Sequence, residues 1–322
     1  MQLSTIYLPI QEDLAKVADI LRALQRPEDL PWMAEPLEYT LKDGGKRIRP
    51  ALTLLAGQFH HYDLELLLPM ATAVELFHTA TLVHDDIVDD SSVRRGKPTI
   101  NHLQGKGVAV LLGDYLFATS ADLVASTGNL VVMRLYAQTL ITISGGELGR
   151  NFSNSDPSEI RQDYYRWIGS KTACLFSFAT QSGAILSQAP PEAVEALKGY
   201  GYNLGLSFQI VDDILDVVGE EEEMGKPVGA DLLQGAITLP LILLLEQHPE
   251  GGSLRQALEN RIDKEKVRRA QEMITNPAII EECYTIAQGF RSRALECLEP
   301  LSHNRAHRAL VDLADYVMER KK

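Results

Sequence analysis

Two short segments of the sequence carry the same arrangement of aspartates. Residues 82–90 read Leu-Val-His-Asp-Asp-Ile-Val-Asp-Asp, and residues 210–216 read Ile-Val-Asp-Asp-Ile-Leu-Asp. On a helix, side chains three and four positions apart share a face, so each segment would present three carboxylates together. The six candidate metal ligands are Asp85, Asp86, Asp89, Asp212, Asp213 and Asp216. Like charges one turn apart repel each other, and a bound cation would offset that repulsion.

Mg²⁺ fits these two clusters better than other ligands do. It binds a few carboxylates, keeps several waters and accepts phosphate oxygens at its remaining positions. Neither segment has the glycine turn and the terminal glutamate of an EF-hand calcium loop. A solvated acidic helix end is the other interpretation, but both clusters are flanked by apolar residues. The repeated spacing therefore predicts a site where metal ions hold a phosphate group.

Several basic residues could contact such a phosphate group directly. Lys46 and Arg49 lie three residues apart beside a Gly-Gly turn, and we expect them to face one way at a helix start, where backbone amides attract anions. Arg94 and Arg95 follow the first cluster, where they either balance its charge or each grip a phosphate. His78 would lie two helical turns before the first cluster. Further candidate donors are Lys171, Thr172 and Lys226.

The segments that must position these residues are predicted to be helices. Apolar residues recur at three- and four-residue spacing over 71–88 and 202–218, and alternating β-branched runs are scarce. No low-complexity linker divides the 322 residues. We therefore expect an all-α protein with a single domain over 1–322, a large bundle of about ten or more helices around a central cavity.

Composition narrows the class of protein further. The formal net charge of −13 argues against a nucleic-acid partner, because phosphate backbones are bound by basic faces. The three cysteines are not spaced as metal or redox pairs, so we expect reduced thiols. The N-terminus lacks a basic run, and the longest apolar run, 236–245, is too short to cross a bilayer. These features predict a cytoplasmic protein without a transmembrane segment, touching a membrane at most peripherally.

The same segments closely resemble those of the trans-isoprenyl diphosphate synthase family, the polyprenyl synthetases. The resemblance extends from the loop 44–50 to residues 313–317 near the C-terminus. Its most specific parts are residues 77–86, which read Phe-His-Thr-Ala-Thr-Leu-Val-His-Asp-Asp, the tail 94–99, and residues 208–213. The stretch 225–231 adds to them. The resemblance implies the isoprenoid synthase fold, a homodimer, and Mg²⁺-dependent head-to-tail condensation of isopentenyl diphosphate with an allylic diphosphate.

The resemblance also implies roles for individual residues. The six aspartates would bind three Mg²⁺ ions that hold the allylic diphosphate, with Arg94, Lys171 and Lys226 as its cationic partners. The isopentenyl diphosphate pocket would consist of Lys46, Arg49, His78 and Arg95, and the reaction zone of Thr172, Phe208 and Gln209. Two positions depart from the family pattern: Arg150 stands where glutamine is usual, and Ala236 where lysine is usual. These departures put rate and substrate preference in question but remove no metal ligand.

Residues that precede Asp85 should set the product length. One helical turn rises about 5.4 Å, close to one extended isoprene unit, so the chain would grow alongside this helix. Ala80 and Thr81 are small where short-chain relatives carry an aromatic floor, and Phe77 and Val74 lie deeper. We expect a hexaprenyl to decaprenyl product, centred on octaprenyl or solanesyl, from a geranyl, farnesyl or geranylgeranyl primer.

Three alternatives remain open. A geranylgeranyl or farnesyl diphosphate synthase of the same family would share every motif except the length-setting residues. A class I terpene cyclase would share the first cluster but carry an Asn/Ser/Glu-type second motif, which differs from residues 212–216. A non-catalytic subunit of a heteromeric synthase would tolerate the departures at Arg150 and Ala236.

Overall fold

The structure confirms the all-α prediction. The computed structural model describes residues 2–42, 45–94, 96–149, 157–218, 237–247 and 272–320. The helices are α1 Leu3–Ile6, α2 Gln11–Ala23, α3 Ala34–Leu41, α4 Ile48–Gly57, α5 Leu64–Val88, α6 Ile100–Leu103, α7 Lys106–Ser126, α8 Leu130–Leu148, α9 Pro157–Ile168, α10 Cys174–Leu186, α11 Pro191–Val218, α12 Leu239–Gln247, α13 Pro277–Leu298 and α14 Arg305–Glu319. A π-helical turn, Gly169–Ala173, joins α9 to α10, and 3₁₀ turns span Leu8–Ile10 and Pro31–Met33. Strands β1 Val93–Arg94 and β2 Lys97–Pro98 form a small antiparallel hairpin.

The first aspartate cluster lies at the C-terminal end of α5. This helix begins after Asp63, whose carboxylate accepts a hydrogen bond from the Glu65 amide and so caps the free N–H groups. Its residues 70–77 are all buried, so α5 runs through the core and emerges at the aspartates. The second cluster ends the long helix α11 in the same way. Both clusters therefore lie at the C-terminal ends of the helices that carry them.

Two glycines let α11 pack closely against α10 and the π-helical turn. A Cβ atom at Gly205 would lie 2.6 Å from the Ala173 Cα atom, and one at Gly201 would lie 2.6 Å from the Phe176 carbonyl oxygen. No larger residue fits at such distances without moving backbone. The close approach brings the end of α11 beside residues 169–173, which carry two of the predicted site residues.

Buried apolar side chains of the described residues form two clusters. The larger is built mainly from α4, α5, α7, α10 and α14, and the smaller from α9, α12 and α13. Helix α11 contributes to both, since Leu197 and Leu204 lie in the larger cluster and Ile210 and Ile214 in the smaller. Helix α11 is therefore shared by the two clusters, and the single-domain organisation stays a prediction.

Two of the described helices, α5 and α7, are long and apolar enough to cross a bilayer by length and composition alone. Core helices of soluble proteins pass the same test, and 61% of the most apolar window of α5 is buried inside the protein. Only 33% of the corresponding window of α7 is buried. The outer side of α7 is therefore exposed although the helix is apolar in composition.

The three cysteines, Cys174, Cys283 and Cys297, are free thiols, as expected. Burial raises the pKa of Cys174 and of Cys283 to about 12. Both thiols therefore stay protonated at neutral pH, which makes them poor nucleophiles and poor metal ligands.

Candidate active site

A basic residue folds back onto the first aspartate cluster. The hairpin after α5 returns Arg94 to the helix end, where its Nε donates a 2.7 Å hydrogen bond to Asp86 Oδ1. Asn101 anchors the hairpin by donating from Nδ2 to the Asp86 carbonyl oxygen at 3.1 Å. Burial raises the pKa of Asp86, and the Arg94 guanidinium opposes that rise. In this state Arg94 balances the charge of the cluster.

Lys171 reaches the first cluster from the π-helical turn. Its Nζ lies 3.7 Å from Asp85 Oδ2 and 3.2 Å from Glu147 Oε1, at the end of α8. Trp167 Nε1 donates to the same Glu147 oxygen at 3.1 Å. Burial by itself lowers the pKa of Lys171, but the neighbouring Asp85 and Glu147 carboxylates outweigh it and raise that pKa. Lys171 is therefore a permanent cation at neutral pH.

The three aspartates of the second cluster differ in exposure. Asp213 and Asp216 are buried at 2% exposure each, whereas 31% of the Asp212 side chain is exposed. Asp213 accepts hydrogen bonds from the Tyr164 hydroxyl at 2.7 Å and from Gln209 Nε2 at 2.9 Å. Asp212 Oδ1 lies 2.9 Å from an Arg320 guanidinium nitrogen. Asp212 is thus the carboxylate of this cluster that is most open to an incoming cation.

The π-helical turn joins the two clusters through successive residues. Lys171 faces Asp85, and its neighbour Thr172 donates from Oγ1 to Gln209 Oε1 at 2.6 Å. Gln209 in turn donates to Asp213. Because successive Cα atoms are about 3.8 Å apart, this contact chain holds the ends of α5 and α11 on either side of one turn. Wide π-type turns within helices often occur at functional sites.

The loop before α4 differs from its prediction in one respect. Lys46 precedes the helix, because Arg47 is the N-cap residue and adopts a left-handed conformation with φ of 48°. Helical spacing therefore does not relate Lys46 to Arg49, which lies in the first turn of α4. Arg47 bonds the buried Glu75 at 2.5 Å, and this ion pair anchors the loop to α5. Lys46 Nζ lies 5.7 Å from the centre of the Tyr316 ring.

A stack of two cations and two aromatic rings lines one side of the site. The Arg49 guanidinium lies 4.7 Å from the Phe176 ring centre, and the Phe176 and Phe208 centres are 5.1 Å apart. Arg320 covers the far side of Phe208 at 3.7 Å. Cation–π contacts of this kind contribute about 0.5–2 kcal/mol each. The stack connects α4, α10, α11 and the C-terminus, and it fixes the predicted residues Arg49 and Phe208 relative to each other.

The remaining predicted residues have mixed positions. His78 is half-buried on α5, two turns before Asp85, and Asp89 caps the end of the helix. Ala80, Phe77 and Val74 are buried, and Thr81 is half-buried. Four residues named from the sequence, Arg95, Lys226, Arg150 and Ala236, lie outside the described residues.

The donor set fits a hard divalent cation that is shared with a ligand. Among the residues that the structure describes, no three His, Cys, Asp or Glu side chains are grouped closely enough to hold an ion by themselves. Mg²⁺ does not need such a cage, because it is usually bound by one or two carboxylates, waters and phosphate oxygens. Carboxylates on both sides of one turn, together with Lys171 and Arg94, suit a phosphate-bound Mg²⁺.

Four contributors to this site were missed by reasoning from the sequence. Tyr164 and Trp167 belong to an ordinary-looking amphipathic helix, and Arg320 is more than 100 residues from Asp212. Glu147 lies in the segment 146–150, from which the sequence analysis named only Arg150. Of these four residues, only Glu147 had a local signal, the Gly-Glu pair near the end of α8. The contacts of the other three form between residues distant in sequence.

The fold and site define an all-helical protein in which one cationic turn joins two carboxylate clusters. The sequence profile of the polyprenyl synthetase family matches residues 30–274. Over 320 residues the chain is 38% identical to "Heptaprenyl diphosphate synthase component 2" of Geobacillus stearothermophilus, covering 99% of each chain. It is 34% identical to octaprenyl diphosphate synthase of Escherichia coli (strain K12), again covering 99% of each.

The chain is also similar to a protein of known structure. The polyprenyl synthase from Caulobacter crescentus CB15, complexed with calcium and isoprenyl diphosphate, superposes with a TM-score of 0.92 at 32% identity, covering 100% of this chain and 98% of that one. The chain therefore belongs to the polyprenyl synthetase family. It is a prenyltransferase whose relatives include enzymes named for long-chain products.

The electrostatics of Asp85 lead to a prediction about stability. Burial raises the pKa of Asp85, opposed by Lys171 and assisted by Glu147, so its ionised form destabilises the metal-free fold at neutral pH. We expect Asp85→Asn to raise the midpoint of thermal unfolding in EDTA at pH 8. The difference in unfolding midpoint between this variant and the wild type should shrink as the pH falls below the raised pKa of folded Asp85, because the wild-type carboxyl then becomes protonated and uncharged.

The exposed Asp19→Asn variant is the control, because Asp19 pairs only with Arg22 at the surface, where ion pairs contribute little. A lower unfolding midpoint for Asp85→Asn than for the wild type at pH 8 would contradict this reading of the site.

Proposed function

We propose that this chain is an all-trans polyprenyl diphosphate synthase. It would use Mg²⁺ to condense isopentenyl diphosphate head-to-tail with geranyl, farnesyl or geranylgeranyl diphosphate. The observation that carries the proposal is the contact chain from Asp85 through Lys171, Thr172 and Gln209 to Asp213. It brings two metal-binding carboxylate groups to one cationic turn, which is the arrangement that a departing diphosphate requires.

The allylic diphosphate would bind between the two clusters. Mg²⁺ held by the six aspartates would supply charge neutralisation at the leaving oxygen. Lys171 would donate hydrogen bonds to that diphosphate, because the neighbouring carboxylates raise its pKa and keep it charged. Arg94 would exchange its contact with Asp86 for a phosphate oxygen as the cluster becomes neutralised by metal. The allylic C–O bond then breaks and leaves a carbocation.

Isopentenyl diphosphate would bind on the side of Lys46 and Arg49. The buried Phe176 ring holds Arg49 in place, and the half-buried Phe208 ring beside it would present apolar surface that excludes water, which would otherwise quench the carbocation. The isopentenyl double bond attacks the cation, a new C–C bond forms, and one proton leaves, which we assign to the released diphosphate. Thr172 and Gln209 stay bonded to each other and keep the turn beside the reacting carbons.

A small buried residue within α5 supports the proposal of a long product. Ala80 lies five residues before Asp85, about 7.5 Å along the helix, and is a small buried side chain where an aromatic one would close the proposed path. Phe77 is turned into an aromatic cluster, with ring centres 5.3 Å from Phe117 and 5.1 Å from Tyr136. Its ring therefore packs against α7 and α8. We propose a hexaprenyl to decaprenyl product, with octaprenyl or solanesyl at the centre of that range.

The exposed side of α7 and α8 supports a homodimer. Leu111 and Ile141 are 67% and 70% exposed, and the two helices run antiparallel across the short connection 127–129. Burying α7 in a bilayer would also bury Asp114 and Asp122, at about 3 kcal/mol each. A second copy would cover the same apolar side chains without moving those aspartates into a hydrocarbon layer, so we propose self-association in the cytoplasm.

One alternative function has a specific observation in its favour. The relative from Geobacillus stearothermophilus is named as component 2 of its synthase, so the chain could act only together with a different subunit. The terpene cyclase alternative is not supported, since the family that matches residues 30–274 is that of polyprenyl synthetases.

A turnover assay of the purified protein tests the proposed function. We expect radiolabelled isopentenyl diphosphate, Mg²⁺ and each of the three primers to give polyprenyl diphosphates, which reversed-phase chromatography sizes after dephosphorylation. EDTA should abolish the product, and Asp85→Asn should lower kcat/KM by about 10²-fold or more, because it removes charge at the metal site.

The variant Asp19→Asn should leave this activity unchanged. Product from the protein alone would exclude the heteromeric alternative. Products of only three or four isoprene units would replace the long-chain assignment by that of a farnesyl or geranylgeranyl synthase, and no product with any primer would contradict the proposal for the isolated chain.

The position of Ala80 predicts a change in product length. Ala80→Phe places a ring beside the path of the growing chain, so we expect the main product to shorten by at least two isoprene units. Ala80→Ser changes the volume little and is the matched control, expected to keep the wild-type length. An unchanged product length for Ala80→Phe, with an unfolding midpoint near that of the wild type, would show that α5 does not limit chain length.

The dimer proposal predicts the effect of one charged substitution. Ile141→Asp places a carboxylate at the centre of the apolar outer side of α8, so light scattering should show the monomer mass instead of twice that mass. Lys198→Asp, on α11, is a control expected to stay dimeric. A wild type that is monomeric at micromolar concentration, or that floats with phospholipid vesicles, would overturn the proposal.

A further inference from the structure

The last described residue of the chain reaches into the site. Arg320 directly follows α14 and has only 3% of its side chain exposed. One guanidinium nitrogen lies 2.9 Å from Asp212 Oδ1 and donates to the Phe208 carbonyl oxygen at 2.7 Å. The guanidinium plane covers the Phe208 ring at 3.7 Å. Arginine side chains are almost never fully buried unless they are paired, so this burial calls for an explanation.

The burial of Arg320 is unfavourable by itself. Removing a guanidinium from water costs several kcal/mol unless a partner compensates, and Nε of Arg320 makes no hydrogen bond to any described residue. Its one anionic partner among the described residues is Asp212, which stays 31% exposed. The contact therefore favours one orientation of a carboxylate that points towards solvent.

The preceding helix sets the position of Arg320. The backbone N–H of Arg320 donates to the Tyr316 carbonyl oxygen at 2.9 Å. Near the end of α14, Met318 Sδ accepts a hydrogen bond from the Ser207 hydroxyl on α11 at 3.3 Å. Lys46 Nζ lies 5.7 Å from the centre of the Tyr316 ring, which belongs to the last turn of the same helix. The last turn of α14 thus contacts Lys46, in the loop before α4, and places Arg320 beside Asp212 of the second cluster.

We propose that Arg320 is a positioning residue that holds Asp212 in the orientation needed to bind metal. Its guanidinium occupies Oδ1, which leaves Oδ2 for a cation, and Phe208 stops the guanidinium from following the carboxylate outwards. The inference rests on the proposed function, because it takes Asp212 as a ligand of diphosphate-bound metal. Hydrogen bonds that orient metal ligands typically change metal affinity or activity about 10–100-fold.

Metal binding can be measured without turnover. We would titrate the full-length protein with Mn²⁺ in the presence of inorganic diphosphate and follow free Mn²⁺ by electron paramagnetic resonance. Arg320→Met should raise the Mn²⁺ dissociation constant about 10–100-fold. Arg320→Lys should restore part of the loss, because lysine keeps the charge but lacks the planar guanidinium that stacks on the Phe208 ring.

A matched control separates positioning from simple loss of stability. Arg291→Met removes another arginine–aspartate pair of α14, the one with Asp315, whose members belong to neither cluster. It should lower the unfolding midpoint without changing Mn²⁺ affinity. In an Asp212→Asn background, Arg320→Met should add no further loss of affinity if it acts through that carboxylate.

Three results would overturn the inference: an Arg320→Met dissociation constant within twofold of the wild type, an equal loss in Arg291→Met, or full additivity with Asp212→Asn. If Arg320→Met does not fold, the comparison of Arg320→Lys with the wild type carries the test alone. Failure of the proposed function is seen separately, as a wild type that binds Mn²⁺ and diphosphate but forms no polyprenyl product.

Discussion

Carboxylates held close together in a partly apolar setting are the constraint on which this structure depends. Burial and mutual repulsion both disfavour their charged forms, and the raised pKa values of Asp85 and Asp86 reflect that cost. The protein answers with cations from three separate elements: the hairpin after α5, the π-helical turn and the C-terminus. Each cation compensates a carboxylate and so offsets part of that cost in the absence of metal.

The packing around the site serves that balance. Gly201 and Gly205 allow α11 to approach the π-helical turn, and only this approach lets Thr172 bond Gln209 and so joins the two clusters. The stack of Arg49, Phe176, Phe208 and Arg320 then fixes two cations at defined positions. Rigid supports of this kind would suit the carbocation chemistry that we propose, because the charges would be in place before the C–O bond breaks.

Most of the fold and the centre of the site could be predicted from the sequence. The helical periodicity of α5 and α11 and the spacing of the aspartates are local properties, and local properties survive folding. The prediction for Lys46 and Arg49 was less successful, because a single left-handed residue, Arg47, places Lys46 outside the helix. Spacing rules apply only within one regular element, and the backbone angles of a capping residue are not visible in its side chain.

The sequence alone determined which side chains could bind metal and diphosphate, since charge, oxygen donors and the period of a helix are encoded residue by residue. Tertiary structure decided which of them meet: Glu147 beside Lys171, Tyr164 beside Asp213, and Arg320 beside Asp212. These pairs are separated by 24, 49 and 108 positions along the chain. Contacts over such separations depend on how helices pack in three dimensions, and no periodicity along the chain reports that packing.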